Sequence, residues 1–224
     1  MPLIASIVVP VLRDTAELAR LLPVLEAHPS TELIVVSGAR DPSLEPLERA
    51  RPDVRWLVSD PGRGVQLNQG AAHARGRWLV FLHADCRLAP AWLADLERAE
   101  CRASIVGGSF RFRLDSPRRA ARLIEWGVRQ RVRWLDLPYG DQAIFVRRDV
   151  FERLGGFRPL PLMEDVEFVR RLRRAGPLLH VSTPVLVSPR RWERDGWVRR
   201  TVGNLTLALL FRAGVPPARL ARWY

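Results

Sequence analysis

Lysine is absent from this chain of 224 residues: all 36 of its basic residues are arginine. The planar guanidinium fork suits phosphate and carboxylate partners better than an ammonium does. Cysteine is scarce as well. Cys86 and Cys101 stand in no CxxC or zinc-ligand spacing, which argues against a zinc framework and for a reducing, cytoplasmic setting. No run of about 18 uncharged apolar residues occurs, so no transmembrane helix is expected. The opening Met1-Pro2-Leu3-Ile4 has neither a basic n-region nor a small-residue cleavage site. No signal peptide is expected, and the chain reads as soluble or peripheral to a membrane. Internal repeats and low-complexity linkers are missing too, which leaves one domain over residues 1–224. The segment Gly62-Arg63-Gly64-Val65-Gln66-Leu67-Asn68-Gln69-Gly70 fits neither GxGxxG nor GxxxxGK(S/T). Neither a dinucleotide fingerprint nor a Walker-type phosphate cradle follows from it, although glycine, arginine and amides at a helix start can approach a phosphate or ribose.

What is present points to a globular α/β protein with an anionic partner. A hydrophobic content of 47% supports a sizeable core. The net charge of +12 predicts attraction to a nucleotide, a phospholipid surface or nucleic acid. Against RNA, the aromatic residues do not interleave with the arginines as they do in base-stacking platforms. Ile4 to Val9 is a β-branched apolar run closed by Pro10, as a strand buried on both faces would be. Asp14-Thr15-Ala16-Glu17 resembles a capping box ahead of a helix striped by Leu18, Leu21, Leu22 and Leu25. Further strands are expected at Leu33 to Val36, Val54 to Val58 and Trp78 to Leu82, with helices near Leu44 to Arg51 and Gly64 to Arg75. That alternation implies right-handed βαβ units and a mainly parallel sheet over residues 1–100, the nucleotide-binding half.

Residues 101–192 change texture and would carry the second substrate. Ser109 to Arg113 alternates strictly, as a half-exposed strand does. A helix is expected over Pro117 to Val132, a strand at Ala143 to Val146, a helix over Glu164 to Ala175 and a strand at Pro184 to Val187. A long helix from about Glu193 to Arg212 begins the C-terminal helical segment, 193–224. Its apolar stretch with basic and aromatic flanks, ending in Trp223-Tyr224, suits anionic lipid, packing on the domain, or a second subunit in a homodimer.

Chemistry concentrates at two places. His83-Ala84-Asp85 closes an apolar strand, where open α/β sheets bind their ligands. A hard divalent ion such as Mg²⁺ or Mn²⁺ needs only one or two carboxylates when substrate phosphates complete its shell. Asp85 equally suits the cap of a helix near Pro90, and His83 a satisfied buried histidine. Glu164-Asp165 opens a helix, where acidic residues offset the dipole and where a partly buried carboxylate pair can supply a general base. Ser188-Pro189-Arg190-Arg191-Trp192 sets guanidinium groups beside an indole, able to clamp a phosphate and stack on a sugar or base.

In order along residues 3–192, these runs resemble the family 2 glycosyltransferases of GT-A fold. The matching phrases are Ser6-Ile7-Val8-Val9-Pro10 with Asp14, Leu33-Ile34-Val35-Val36, Asn68-Gln69-Gly70-Ala71, Phe81-Leu82-His83-Ala84-Asp85, Gly155-Gly156-Phe157, Glu164-Asp165 and Arg191-Trp192. Leu82-His83-Ala84-Asp85, Tyr139-Gly140-Asp141-Gln142 and Leu220-Ala221-Arg222-Trp223-Tyr224 are most similar to the radical-SAM/selenodomain-associated branch, connected with arsenosugar biosynthesis.

The resemblance implies a Rossmann-like, mostly parallel sheet flanked by helices. It also implies inverting transfer from a nucleotide-diphosphate sugar to a small-molecule or lipid-linked hydroxyl, with Mg²⁺ or Mn²⁺. Asp85 matches the metal-binding aspartate of D-x-D, with His83 and Ala84 before it. Asp165 matches the catalytic base, with Glu164 beside it. Pro10, Asp14, Ser37, Asp41, Arg63, Gln66, Asn68 and Gly70 fall in nucleotide-facing segments, and Tyr139, Asp141, Gln142, Arg191 and Trp192 near acceptor and diphosphate. Three positions depart from the pattern. His83 replaces the first aspartate of D-x-D. Ser37 replaces the aspartate that reads the base, so no uracil preference follows. Ser188 replaces the glutamine of Q-x-x-R-W, and no membrane span follows, so processive polymer synthesis is not expected. A GT-A-like nucleotidyltransferase and a non-catalytic basic module that binds RNA or a membrane are the rival readings.

Overall fold

The computed structural model describes residues 3–12, 14–25 and 28–223. Met1, Pro2 and Tyr224, which the opening and closing motifs include, lie outside them. The first half runs Ala5–Val11 (β1), Thr15–Leu21 (α1), Thr31–Ser37 (β2), Glu45–Ala50 (α2), Arg55–Val58 (β3), Arg63–Ala72 (α3), Trp78–Phe81 (β4), Cys86–Leu88 (β5) and Trp92–Glu100 (α4). The second runs Gly107–Leu114 (β6), Arg119–Leu135 (α5), Phe145–Arg147 (β7), Arg148–Arg153 (α6), Glu164–Ala175 (α7), Leu178–Val187 (β8), Arg190–Asp195 (α8), Trp197–Arg212 (α9) and Pro217–Leu220 (α10). All strands join one eight-stranded sheet of order β3-β2-β1-β4-β7-β6-β8-β5. Strands β3, β2, β1 and β4 are mutually parallel. Strand β7 is antiparallel to both β4 and β6, and β8 then runs parallel to β6.

The central strands bury both faces, and their side chains alternate between two cores. Ile7, Val9, Val11, Val35, Trp78 and Val80 face α1 and α4 through Leu18, Leu21, Leu96 and Ala99. Val8, Ile34, Val36, Leu79 and Phe81 face α3, α6 and α7 through Leu67, Ala71, Phe151, Phe168 and Leu172. Gly70 decides how close α3 can come. A Cβ there would lie 2.3 Å from Val8 Cγ1, so only glycine allows this helix to seat on β1.

Several boundaries differ from the expectations for physical reasons. Pro10 does not end β1, which continues to Val11. The Val8 carbonyl accepts from Leu82, so positions 8 and 10 turn toward β4, and the β1–β4 ladder has already ended at Val8. The N–H that proline lacks is therefore not needed. The expected capping box at Asp14 does not form: the Asp14 side chain makes no cap bond and pairs with Arg190 instead. Strand β8 begins at Leu178, six residues before the expected strand at Pro184, and accommodates the proline beside a β-bulge in its pairing with β6. The single C-terminal helix is in fact two, because Gly196 at φ +86° separates α8 from α9. No helix among the described residues is long and apolar enough to cross a membrane.

Candidate active site

Strands β2 and β4 flank β1, and the chain leaves β1 toward β2 but returns to β4, so the switch in strand order lies between β1 and β4. Ligands of open α/β sheets bind beyond the C-terminal ends of the strands at such a switch. Here β4 ends at Phe81 and passes directly into Leu82-His83-Ala84-Asp85. The loop is fixed by the Asp85 carbonyl, which accepts from Ser188 N at 2.9 Å, and by the His83 carbonyl, which accepts from Cys86 N at 3.0 Å. Ala84 points into the core, leaving His83 and Asp85 to turn outward.

The residues from distant segments meet in one cavity of about 570 Å³, whose inner end holds Arg63, His83, Asp85, Tyr139, Asp141, Asp165 and Arg191. Asp165 arrives on the first turn of α7. Its Oδ2 accepts from Gly140 N at 2.6 Å and its Oδ1 from Val166 N at 2.8 Å. Gly140 separates the imidazole from this carboxylate: a Cβ there would lie 3.0 Å from His83 Nε2 and 3.1 Å from Asp165 Oδ2. Glu164 is placed differently. It is buried and ion-paired with Arg63 at 3.0 Å. Arg190 and Arg191 each bring a guanidinium nitrogen to 3.6 Å from Asp85 Oδ2, and Arg190 also reaches Asp14 at 2.7 Å and Glu17 at 3.5 Å.

Burial and the surrounding charges set the protonation states. Burial, reinforced by Arg63 and Arg191, lowers His83 to about 4 against the opposing pull of Asp85 and Asp165. The ring is therefore neutral at neutral pH, with a lone pair free for a ligand role. Burial opposes charge on Asp85, but His83, Arg191 and Arg190 outweigh it and hold its carboxyl below the usual range. Burial and the carboxylates of Asp85 and Asp141 push the Cys86 thiol well up, so it stays protonated. Asp141 is pushed up to about 6, first by burial and then by Asp165 and Asp85, with Arg131 and Arg191 opposing. Its Oδ1 is buried and has no hydrogen-bond partner among the described residues. Burial also raises Tyr139, whose ring is covered by the Arg131 guanidinium at 3.4 Å from its centroid.

Ligand atoms of His83, Asp85 and Cys86 all lie within 4.8 Å of one another. The neutral imidazole and ionised carboxylate fit a divalent transition ion such as Mn²⁺.

Other residues expected at the site are committed to the scaffold. Gln66 is buried and donates to the Val11 and Val36 carbonyls, both at 2.8 Å. Asn68 clamps Phe157, accepting from its N–H and donating to its carbonyl at 2.8 Å each. Gly70 is the contact point of α3 with β1. Ser37 bonds the Ala39 carbonyl at 2.6 Å, and Asp41 holds the backbone and hydroxyl of Ser43. Pro10 sits half-buried within β1. Gln142 accepts from Arg131 at 2.8 Å and donates to the Phe110 carbonyl. Trp192 is buried against Phe112, donates to Thr201 and lines the same cavity. Arg190 is expected from the sequence as half of a phosphate-clamping pair, and the structure adds its reach to Asp14 and Asp85. Two contributors carry no role in the sequence: Gly140 stands only inside a phrase, and Arg131 has no signal within an arginine-rich helix.

Residues 6–160 match the sequence profile of Glycosyl transferase family 2. No curated protein matches the chain by sequence. Among solved structures, a fragment of S. aureus TarS, residues 1–349, superposes with a TM-score of 0.65 at 16% identity, covering 84% of this chain and 61% of that one. The same fragment in complex with UDP-GlcNAc gives 0.63 at 16% identity, covering 83% and 58%. The mannosyltransferase PcManGT from Pyrobaculum calidifontis, in complex with GDP-Man and Mn²⁺, gives 0.69 at 17% identity over 99% of this chain and 70% of that one. This chain spans about three fifths of the TarS fragment's length. At such identities the likeness is one of fold, and that fold is GT-A. With the family profile covering β1 to beyond α6, well over half of the sequence, the chain belongs to glycosyl transferase family 2.

Proposed function

We propose that this chain transfers a sugar, with inversion, from a nucleoside-diphosphate sugar to a hydroxyl acceptor. One observation carries the reading: Asp85 beyond β4 and Asp165 at the start of α7 open into the same cavity, with only Gly140 between Asp165 and His83. UDP-GlcNAc and GDP-Man are the sugars bound in the two neighbours, so the donor is sought among compounds of that class. The phrases around His83 and Tyr139 favour the radical-SAM/selenodomain-associated branch.

Asp165 is the general base. As the acceptor oxygen bonds to the anomeric carbon, its proton passes to the Asp165 carboxylate, and the bond from that carbon to the diphosphate oxygen breaks with its electron pair leaving on the diphosphate. The Gly140 N–H on Oδ2 orients this carboxylate. Arg190 and Arg191 hold positive charge beside the leaving group, where preorganised charge has its largest effect. His83 and Asp85 would hold a divalent cation, whose chemistry when bound is Lewis-acid stabilisation of the departing diphosphate. Glu164 and Arg63 act one step back, fixing the entry of α7.

Thermal shift against a panel of nucleotide sugars with Mn²⁺ identifies the donor, because a ligand bound only by the folded state raises Tm. Product analysis then decides the reaction: free nucleoside diphosphate supports sugar transfer, whereas pyrophosphate supports nucleotidyl transfer. Asp165→Asn is expected to lower turnover by a factor of about 10² to 10⁴ while donor binding persists. Unchanged turnover in that variant would overturn the assignment.

A further inference from the structure

The cavity that holds Asp165 does not end at the catalytic groups. It continues outward as a groove between α5 and α9, walled by Leu123, Ile124 and Trp126 on one helix and Val202 and Leu205 on the other. Four of these are strongly exposed: Leu123 at 68%, Trp126 at 54%, Val202 at 55% and Leu205 at 57%. Contiguous exposed apolar surface of this kind marks a binding site far more often than free surface.

Both helices are built this way by sequence. Of the 17 residues of α5 only Ala121 is fully buried, and Ile124 and Val128 pack partly against the core, which leaves Leu123 and Trp126 exposed. Helix α9 packs Leu207 against Leu162 and Leu220, while Val202 and Leu205 stay exposed over the groove. Gly127 lies on the groove wall, and a Cβ there would meet nothing within 4 Å. The space opposite it is therefore open.

From this continuity we infer that the acceptor is an alcohol carrying a long apolar chain, its hydroxyl at Asp165 and its tail in the α5–α9 groove. The inference rests on the glycosyl-transfer reading. A short polar acceptor would gain nothing from walls of leucine, valine and tryptophan, and those walls line the same cavity as the carboxylate.

The test is isothermal titration of the full chain with monoalkyl glycerol ethers from ethyl to dodecyl, each below its micellar concentration. UDP and GDP are titrated with Mn²⁺ in parallel. Affinity is expected to rise by about fourfold per added methylene until the groove is filled. Gly127→Phe is expected to abolish that dependence by plugging the groove, and it cannot do so by weakening α5, since glycine is the poorer helix former. Leu123→Gln with Leu205→Gln, both exposed, should act alike, with Tm and nucleotide affinity unchanged.

Nucleotide binding combined with affinity independent of chain length would overturn the apolar-tail acceptor and leave glycosyl transfer standing. Chain-length dependence without binding of either nucleotide would overturn the acceptor assignment through the failure of the transfer reading. Sedimentation showing a dimer that ignores the ethers, or flotation on anionic phosphatidylglycerol vesicles without binding of the monomeric ethers, would also overturn it, by giving the apolar walls to another occupant.

Discussion

Arg63→Met tests how the base-bearing helix is held. The substitution removes the cation beside Glu164, whose side chain is 2% exposed and contacts Arg63 at 3.0 Å. Burial and the neighbouring Asp165 already push the Glu164 carboxyl above its ordinary value, and Arg63 opposes them. Breaking a fully buried ion pair leaves an uncompensated charge and costs about 3–5 kcal/mol. The arginine here is itself 33% exposed, so water screens part of the interaction and roughly 2 kcal/mol is the reasoned loss at neutral pH. For a domain of this size that corresponds to a fall in Tm of roughly 4–8 °C.

The pH dependence separates this cause from lost packing. A carboxyl whose value is higher in the folded than in the unfolded state binds its proton more tightly when native. Stability is then greatest in acid, below the ordinary carboxylate range, and falls as pH rises through the folded value. Removing Arg63 moves that folded value further up, so the variant and parent should converge in acid and separate toward neutrality. Differential scanning calorimetry across that window reads the effect. Glu164→Gln added to Arg63→Met should recover most of the loss at neutral pH, because a neutral amide needs no counter-charge. A loss that is equal at every pH, or that the double variant does not recover, would refute the reasoning.

Three further outcomes follow from the geometry. Gly70→Ala should destabilise by about 1–3 kcal/mol in urea titration, because its methyl meets Val8 at 2.3 Å and α3 must lift from β1. Asn68→Ala should cost about 1–3 kcal/mol by leaving the Phe157 N–H and carbonyl without their partner, yet leave nucleotide affinity unchanged in calorimetric titration. Gly140→Ala should lower kcat by about ten- to a hundredfold with little change in donor binding, because its methyl would press on both His83 and Asp165.

Much of the fold was legible because period and composition agree over β1, β2, β4 and α3, whose apolar residues are placed by two packed faces. The elements that were missed are short or polar. Strand β5 has only three residues, and α6 offers just Val150 and Phe151 as a buried face. The early part of β8 carries His180, Ser182, Thr183 and Pro184, which interrupt any apolar run, and its strand character comes from the β6 ladder alone. Gly196 was readable as glycine but not as a positive φ.

The site was legible to a different degree, because residue type reports chemistry while only the fold reports who meets whom. His83, Asp85 and Asp165 stand out as titratable groups where a strand ends or a helix begins. Gln66 and Asn68 are equally polar and equally close to the expected nucleotide, yet both are consumed by backbone groups of β1, β2 and the Phe157 loop. Buried backbone donors and acceptors must be satisfied, and an amide side chain near such gaps goes to them first. The converse holds for Gly140. It has no side chain to read, but the absence of one is what lets an imidazole and a carboxylate from segments some eighty residues apart close in on the same residue. In this chain the residue that assembles the candidate site is the one with no chemistry of its own.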